Sequence, residues 1–180
     1  MNVLSIQPTP NPSAFKFVVD ATLQPTGSRY YNSAQEAATD PLAMALFAIP
    51  GVQTVYFAQD FATVTSADGA NLQTLHEQVQ QVLETHEGGA APRPAMAAPE
   101  LSTDDEALMQ QINEILDDRV RPALAGDGGG LQILGLQEKV LTIRYQGACG
   151  SCPSSIAGTL HAIQNLLQME VDEQLTVISQ

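Results

Sequence analysis

The chain has 180 residues, with seven Lys and Arg against 20 Asp and Glu, a formal net charge of −13, and two Cys. This length allows one medium domain or two small ones, since a domain commonly holds about 100–200 residues. The acid excess argues against nucleic acid and against an anionic membrane surface as partners, because both are bound through Lys and Arg.

The first half predicts a strand, a short helix, a hairpin and a longer helix, in that order. Asp40 is a suitable N-cap, and Pro41 at the first helical position starts the short helix. The longer helix begins after Asn71, where apolar residues recur at helical spacing. The predicted bounds are residues 15–19 for the strand, 42–47 for the short helix, 52–57 and 61–65 for the hairpin, and 71 to about 86 for the longer helix.

The N-terminal region shows no targeting signal. The first basic residue is Lys16, and the longest apolar run covers only residues 42–50. A secretory or transit peptide carries basic residues near its start, and a membrane span needs about 20 apolar residues. We therefore expect a cytoplasmic protein that does not associate with membranes, with the mature form of an imported protein as the alternative.

A segment of biased composition divides the sequence. Ten of the twelve residues in 88–99 are Gly, Ala or Pro, and no apolar periodicity runs through them. Three prolines favour a partly extended spacer. We predict a first domain over residues 1–87, a linker over 88–99 and a second domain over 100–180, with a surface loop inside one domain as the alternative.

The second half predicts the order α-β-β-α-β. Its first helix begins at Ser102 as N-cap and keeps helical spacing until Arg121 and Pro122. A glycine run over residues 126–130 then breaks the chain, and the last helix begins at Pro153. Strands are predicted over 131–136, 140–145 and 175–178. The fold class is therefore α+β, with two small α/β-sandwich domains joined by a Pro/Ala/Gly linker.

The glycine run itself has two interpretations. It lacks the Gly-Lys-Ser/Thr ending of a phosphate-binding P-loop, and it precedes a strand where a P-loop precedes a helix. A turn with positive φ is the favoured interpretation.

The two cysteines, Cys149 and Cys152, are only three positions apart in the segment 147–155. A disulfide between them would close a very small loop and constrain the unfolded chain little. The pair falls between a predicted strand and a predicted helix, with Cys152 at the N-cap and Pro153 at the first helical position. Because the helix dipole favours an anion there, this position favours a thiolate, the form that binds soft metals.

Three chemistries compete for this pair. An iron–sulfur cluster usually takes four Cys thiolates, so two per chain require a second subunit. A thioredoxin-like dithiol oxidoreductase also places its cysteines at a helix start, but no βαβ unit precedes the pair and Pro153 removes one N–H donor. Structural zinc needs four ligands, and His76, His86 and His161 lack finger-like spacing. His161 would lie roughly 13 Å along the helix from Cys152 at about 1.5 Å per residue.

The sequence resembles a known family in both halves. The C-terminal domain of NifU-type iron–sulfur scaffold proteins is matched by residues 121–124, 127–129, 147–155, and Thr159 with Leu160. The N-terminal domain that accompanies it in Nfu proteins is matched by residues 9–12, 15–17, 40–43, 46–47, 51–52, 55–57 and 60–65.

The resemblance implies a scaffold or carrier, not an enzyme. It implies a labile [4Fe–4S] cluster, or a [2Fe–2S] cluster, held by Cys149 and Cys152 of both subunits of a homodimer. The cluster would be handed to apo iron–sulfur client proteins by thiolate exchange. It also implies that the glycine run packs near the cysteine segment.

Overall fold

The computed structural model describes residues 1–67, 69–86, 103–151 and 153–180. The chain divides into two compact units, Met1–Pro94 and Ala95–Gln180. Each unit combines helices with one sheet, so the predicted α+β class is confirmed. The predicted linker at 88–99 lies outside the described residues, and the predicted domain bounds stay predictions.

The first unit is a five-stranded antiparallel sheet with two helices. The strand order is β1-β2-β5-β4-β3, and every pairing between neighbours is antiparallel. Apolar residues of both helices share one core with the strands. The elements are β1 (Val3–Pro8), β2 (Ala14–Val19), β3 (Gln24–Tyr31), α1 (Pro41–Phe47), β4 (Val52–Gln59), β5 (Phe61–Ser66) and α2 (Leu72–Thr85).

Both predicted helix starts in this unit are confirmed. The Asp40 carboxylate accepts a hydrogen bond from the Ala43 backbone N–H at 3.2 Å, and Pro41 follows at the start of the helix. The Asn71 side chain accepts from the Thr74 N–H at 3.3 Å. Each cap satisfies one of the N–H groups that a helix start leaves without an intrahelical partner.

Two strands of this sheet, β1 and β3, were not predicted. Both are edge strands, which make ladder hydrogen bonds on one side only. β3 contains Pro25 and Gly27, which are tolerated at an edge because a missing N–H there faces no neighbour. The sequence signal for these strands is weak for the same reason, since an edge strand can carry turn residues.

The second unit is a three-stranded sheet with helices. β6 and β7 pair antiparallel, and β7 pairs with β8 in parallel. A parallel pair needs a crossover connection, and α5 supplies it. The elements are α3 (Thr103–Ile115), a π-helical turn (Leu116–Val120), α4 (Arg121–Gly126), β6 (Gly129–Gln137), β7 (Val140–Gly147), a 3-10 turn (Ala148–Ser151), α5 (Pro153–Glu170) and β8 (Thr176–Ser179).

The helical region of this unit extends beyond its predicted end. The sequence predicted a stop at Arg121 and Pro122, but the chain continues through the π-helical turn into α4. Pro122 sits in the first turn of α4, where a missing N–H costs no intrahelical hydrogen bond. The predicted N-cap Ser102 lies outside the described residues.

The core of the second unit is formed by one face of the sheet and the helices packed on it. Leu141, Ile143 and Tyr145 alternate along β7 and all three are buried. The same core contains Ile112 and Leu116 from the helical region and Ile163 and Leu167 from α5, together with Leu131, Leu136, Leu175 and Val177. No helix in the described parts of the chain has the length and hydropathy needed to cross a bilayer.

Candidate functional site

The cysteine segment connects a strand to a helix, as predicted for the part of it that is described. β7 ends at Gly147, the 3-10 turn follows, and α5 begins at Pro153. Cys149 lies in the turn, where its side chain is half-buried against the core of the second unit. Cys152, and with it the predicted N-cap role, lies outside the described residues.

The glycine run meets the cysteine segment, as the resemblance implied. Gly128 has φ of 75°, so the predicted positive-φ turn is confirmed. Its carbonyl accepts a hydrogen bond from the Ala148 N–H at 3.2 Å. The next residue, Gly129, pairs with Gly147 across the sheet. The backbone of β6 is thereby brought against the turn that holds Cys149.

Position 129 has no room for a side chain, so it requires glycine. A Cβ there would lie 2.5 Å from the Cys149 Sγ, 2.8 Å from the Gln146 carbonyl oxygen and 2.9 Å from the Cys149 backbone nitrogen. Two of these atoms belong to the backbone and cannot rotate away. The sulfur of Cys149 therefore occupies the volume that any larger residue at position 129 would fill.

A buried tyrosine, Tyr145, lies on β7 just before the cysteine segment. Burial, and after it the negative charge of a Cys149 thiolate, raises the pKa of Tyr145 to about 12. The Tyr145 hydroxyl is buried and makes no hydrogen bond within the described residues. The surroundings of Cys149 thus include a neutral phenol and a glycine backbone.

This arrangement fits a soft-metal ligand better than a complete metal centre. The thiolate is the ligating form of cysteine, and the glycine at position 129 lets the Cys149 sulfur lie directly against the backbone of β6. Within the described residues, no three His, Cys, Asp or Glu side chains converge to hold a metal ion. Within the described part of the second unit, His161 lies on α5 and does not join Cys149 in such a group.

The topology around the cysteine segment was not predicted. β7, α5 and β8 form a parallel crossover, with the cysteine segment in the connection from β7 to α5. Dithiol redox sites also lie at the start of a helix that follows a strand. The crossover is therefore compatible with the dithiol interpretation as well as with cluster binding.

Two residues of the site were not singled out by the sequence. Gly129 was recognised only as part of a turn, and Tyr145 only as the end of a strand. For Tyr145 the sequence did contain a signal. Leu141, Ile143 and Tyr145 alternate along β7, and this alternation predicts that the Tyr145 side chain points into the core just before the cysteines.

Known families match both halves of the chain. The family described as "Scaffold protein Nfu/NifU N terminal" matches residues 4–88, and the family described as "NifU-like domain" matches residues 112–178. Together these matches cover the β1–α2 unit and most of the second unit, including the cysteine segment.

Curated proteins are similar in sequence to this chain over most of its length. The proteins named "NFU1 iron-sulfur cluster scaffold homolog, mitochondrial" from Drosophila erecta and Drosophila yakuba are each 33% identical over 175 residues, or 94% of this chain. The chain spans 62% of the length of these relatives. The crystal structure of Staphylococcus aureus protein SAV1430 shares 23% identity over 46% of this chain and 99% of that chain, with a TM-score of 0.42. The two family matches, in this order along one chain, show that the protein belongs to the Nfu-type NifU-like family.

Proposed function

We propose that this protein is an iron–sulfur cluster scaffold or carrier. Cys149 and Cys152 from each of two chains supply the four thiolates that a [4Fe–4S] or [2Fe–2S] cluster usually takes. The cluster is cargo, bound between the two subunits of a homodimer and released to apo iron–sulfur client proteins. The named role of the relatives from Drosophila supports this proposal.

The observation that carries the proposal is the contact between Gly129 and Cys149. The backbone of β6 comes so close to the Cys149 sulfur that a side chain at position 129 has no space. This contact holds the Cys149 sulfur against a stretch of backbone that carries no side chain. A thiol that is positioned, half-buried and bordered by glycine is suited to ligate a group larger than a single ion.

Transfer proceeds by ligand exchange. A client thiolate forms an Fe–S bond as a scaffold cysteine leaves as thiolate, so the cluster keeps its iron, its sulfide and its electrons. Four exchanges, one for each cysteine, move the cluster completely. Because nothing is turned over chemically, the protein does not act as an enzyme in this scheme.

The acid excess supports release. A cluster held by four thiolates is anionic, and the chain itself carries a net charge of −13. Like charges repel over about 10 Å at moderate ionic strength. The negative protein therefore holds an anionic group less firmly than a neutral one would.

The test is anaerobic reconstitution of the full chain with iron and sulfide. We expect a dimer with about four iron and four sulfide per two chains, identified by absorbance and Mössbauer spectra. Cys149→Ser and Cys152→Ser should each abolish stable loading, because two ligands would be lost from the dimer. His161→Ala is the matched control and should load normally, since His161 is not a ligand in this proposal.

The parallel crossover supports a second candidate, a dithiol oxidoreductase. That function predicts no stable iron loading, together with catalytic reduction of a disulfide substrate by the reduced protein. Zinc retained through purification, with no cluster formed, would favour a zinc-binding module. The cytoplasmic location, the clients and the absence of nucleic-acid or membrane partners stay predictions.

A further inference from the structure

The 3-10 turn that holds Cys149 follows the end of the β6–β7 ladder that has the fewest side chains. The last two residue pairs of this ladder are Gly129 with Gly147 and Gly130 with Gln146. Side-chain pairs across strands contribute much of the stability of a sheet, and a glycine within a strand weakens it. The two strands are therefore weakly held at this end unless another contact ties them together.

The Gln146 side chain supplies such a contact. Its Nε2 donates a hydrogen bond to the Gln132 Oε1 at 2.8 Å. Because Gln132 lies opposite Arg144 in the ladder, this bond runs diagonally from β7 to β6. Gln146 is only 5% exposed, and Gly130 directly opposite it carries no side chain. The strands cannot separate at this end without breaking the bond between the two side-chain amides.

The backbone at Gln146 also borders the position of Cys149. A Cβ at position 129 would lie 2.8 Å from the Gln146 carbonyl oxygen, 2.9 Å from the Cys149 nitrogen and 2.5 Å from the Cys149 Sγ. The next contact along the chain is a hydrogen bond from the Ala148 N–H to the Gly128 carbonyl at 3.2 Å. Separation of β6 from β7 at Gln146 would therefore free the 3-10 turn from the backbone against which the Cys149 sulfur lies.

We propose that the hydrogen bond from Gln146 to Gln132 keeps the 3-10 turn closed against β6 and thereby slows the loss of a bound cluster. Both glutamines are positioning residues, because they act through the backbone that holds Cys149. A turn that opens less often lets the Cys149 thiolate leave iron less often, so an incoming thiolate replaces it more slowly. The part that concerns the cluster rests on the proposed function, whereas the part that concerns the closed turn does not.

Hydrogen exchange of the metal-free full chain tests the closed turn. The Ala148 N–H should exchange about fivefold faster in Gln132→Met and in Gln146→Met, which is the effect of losing one hydrogen bond of ordinary strength. Ile143→Val is the matched control, because it removes a buried methyl group from the centre of β7 and lowers the stability of the whole unit by a similar amount. The Ala148 N–H should keep its parent rate in this control, since opening of the ladder end leaves the core packed. Equal acceleration in Ile143→Val would overturn the proposal, because Ala148 would then exchange only when the whole unit unfolds.

Two further variants test the bond itself. Gln132→Glu keeps an acceptor oxygen at the same position, so the Ala148 N–H should exchange close to the parent rate. The double variant Gln132→Met with Gln146→Met should exchange no faster than either single variant, because both changes break the same bond. Additive effects in the double variant, or exchange in Gln132→Glu as fast as in Gln132→Met, would overturn the proposal. If Gln146→Met does not fold, the comparison of Gln132→Met with Gln132→Glu decides alone.

A second measurement concerns the bound cluster. After anaerobic reconstitution, the rate of iron loss to a chelator is followed by absorbance. This rate should rise about fivefold in Gln132→Met and stay at the parent value in Gln132→Glu. Gln137→Met, at an exposed position at the other end of β6, is the control and should lose iron at the parent rate.

The two measurements keep the proposals separate. Failure of the parent protein to load iron would count against the proposed function and leave the exchange result standing. Equal rates of iron loss in the loaded proteins, together with faster exchange of the Ala148 N–H in Gln132→Met, would overturn the part that concerns cluster retention.

Discussion

In the first unit the buried guanidinium of Arg29 meets the Asp40 carboxylate, whereas in the second unit the buried hydroxyl of Tyr145 meets no described partner. The Arg29 side chain is 0% exposed, and its second terminal nitrogen donates to the Leu23 carbonyl at 2.9 Å. Tyr31 donates to the same Asp40 oxygen as Arg29, at 3.0 Å. The Tyr31 hydroxyl of the first unit thus has a hydrogen-bond partner in the Arg29–Asp40 ion pair, although the Arg29 Nε has none within the described residues.

Glycines of the two units also have different structural roles. Gly51 of the first unit has φ of 92° and serves the turn before β4. Gly129 of the second unit is required by the space that Cys149 occupies. The glycine of the first unit therefore serves a turn, whereas the glycine of the second unit lies directly against the sulfur of a candidate ligand.

The largest expected effect comes from breaking the Arg29–Asp40 ion pair with Asp40→Asn. This change leaves a buried guanidinium uncompensated, which typically costs about 3–5 kcal/mol. We expect hydrogen exchange to accelerate throughout the first unit, while iron loading by the cysteines is retained. Asp118→Asn is the control, because the Asp118 carboxylate is 82% exposed and its ion pair should contribute less than about 1 kcal/mol. Loss of iron loading in Asp40→Asn would contradict the assignment of iron binding to the second unit alone.

A smaller effect is expected from Gly129→Ala in the second unit. The added Cβ meets the Cys149 sulfur and two backbone atoms, and overpacking of this kind costs about 1–3 kcal/mol. The free energy of unfolding of the second unit and the amount of iron bound should both fall. Gly158→Ala makes the same chemical change on an exposed turn of α5, where no heavy atom lies within 4 Å of the new Cβ. It should stabilise α5 by about 0.5–1 kcal/mol, and normal loading by Gly129→Ala would refute the role given to Gly129.

The smallest effect concerns pH and the first unit. His76 packs edge-on against Phe15, with ring centroids 4.1 Å apart, and burial lowers its pKa. Because the unfolded chain then binds a proton more readily than the folded one, the first unit should lose stability as pH falls below about 6.5. Hydrogen exchange of the first unit at pH 5 and 7.5 measures this, and His76→Gln should weaken the dependence. His161→Gln, at an exposed position on α5, serves as the control. If the stability of the first unit depends on pH in His76→Gln as it does in the parent protein, His76 is not the cause of that dependence.

Local signals in the sequence were sufficient for most helices and inner strands. Asp40 and Asn71 cap their helices as predicted, because a cap depends on residues within one turn. The strands β1 and β3 were missed, since an edge strand is stabilised by its neighbour more than by its own composition. α4 was missed because Pro122 signals a helix end unless it lies in a first turn, and only the preceding π-helical turn places it there.

The sequence by itself determined the α+β class, the two cysteines three positions apart and the requirement for a second subunit if these bind a cluster. Composition, periodicity and the number of cysteine ligands depend on the residue types and on their spacing along the chain, and not on how the chain is packed. The tertiary structure alone decided that Gly129 borders the Cys149 sulfur and that Arg29 pairs with Asp40. These contacts join residues whose spacing along the chain carries no signal, and they form only when strands and helices have been packed together.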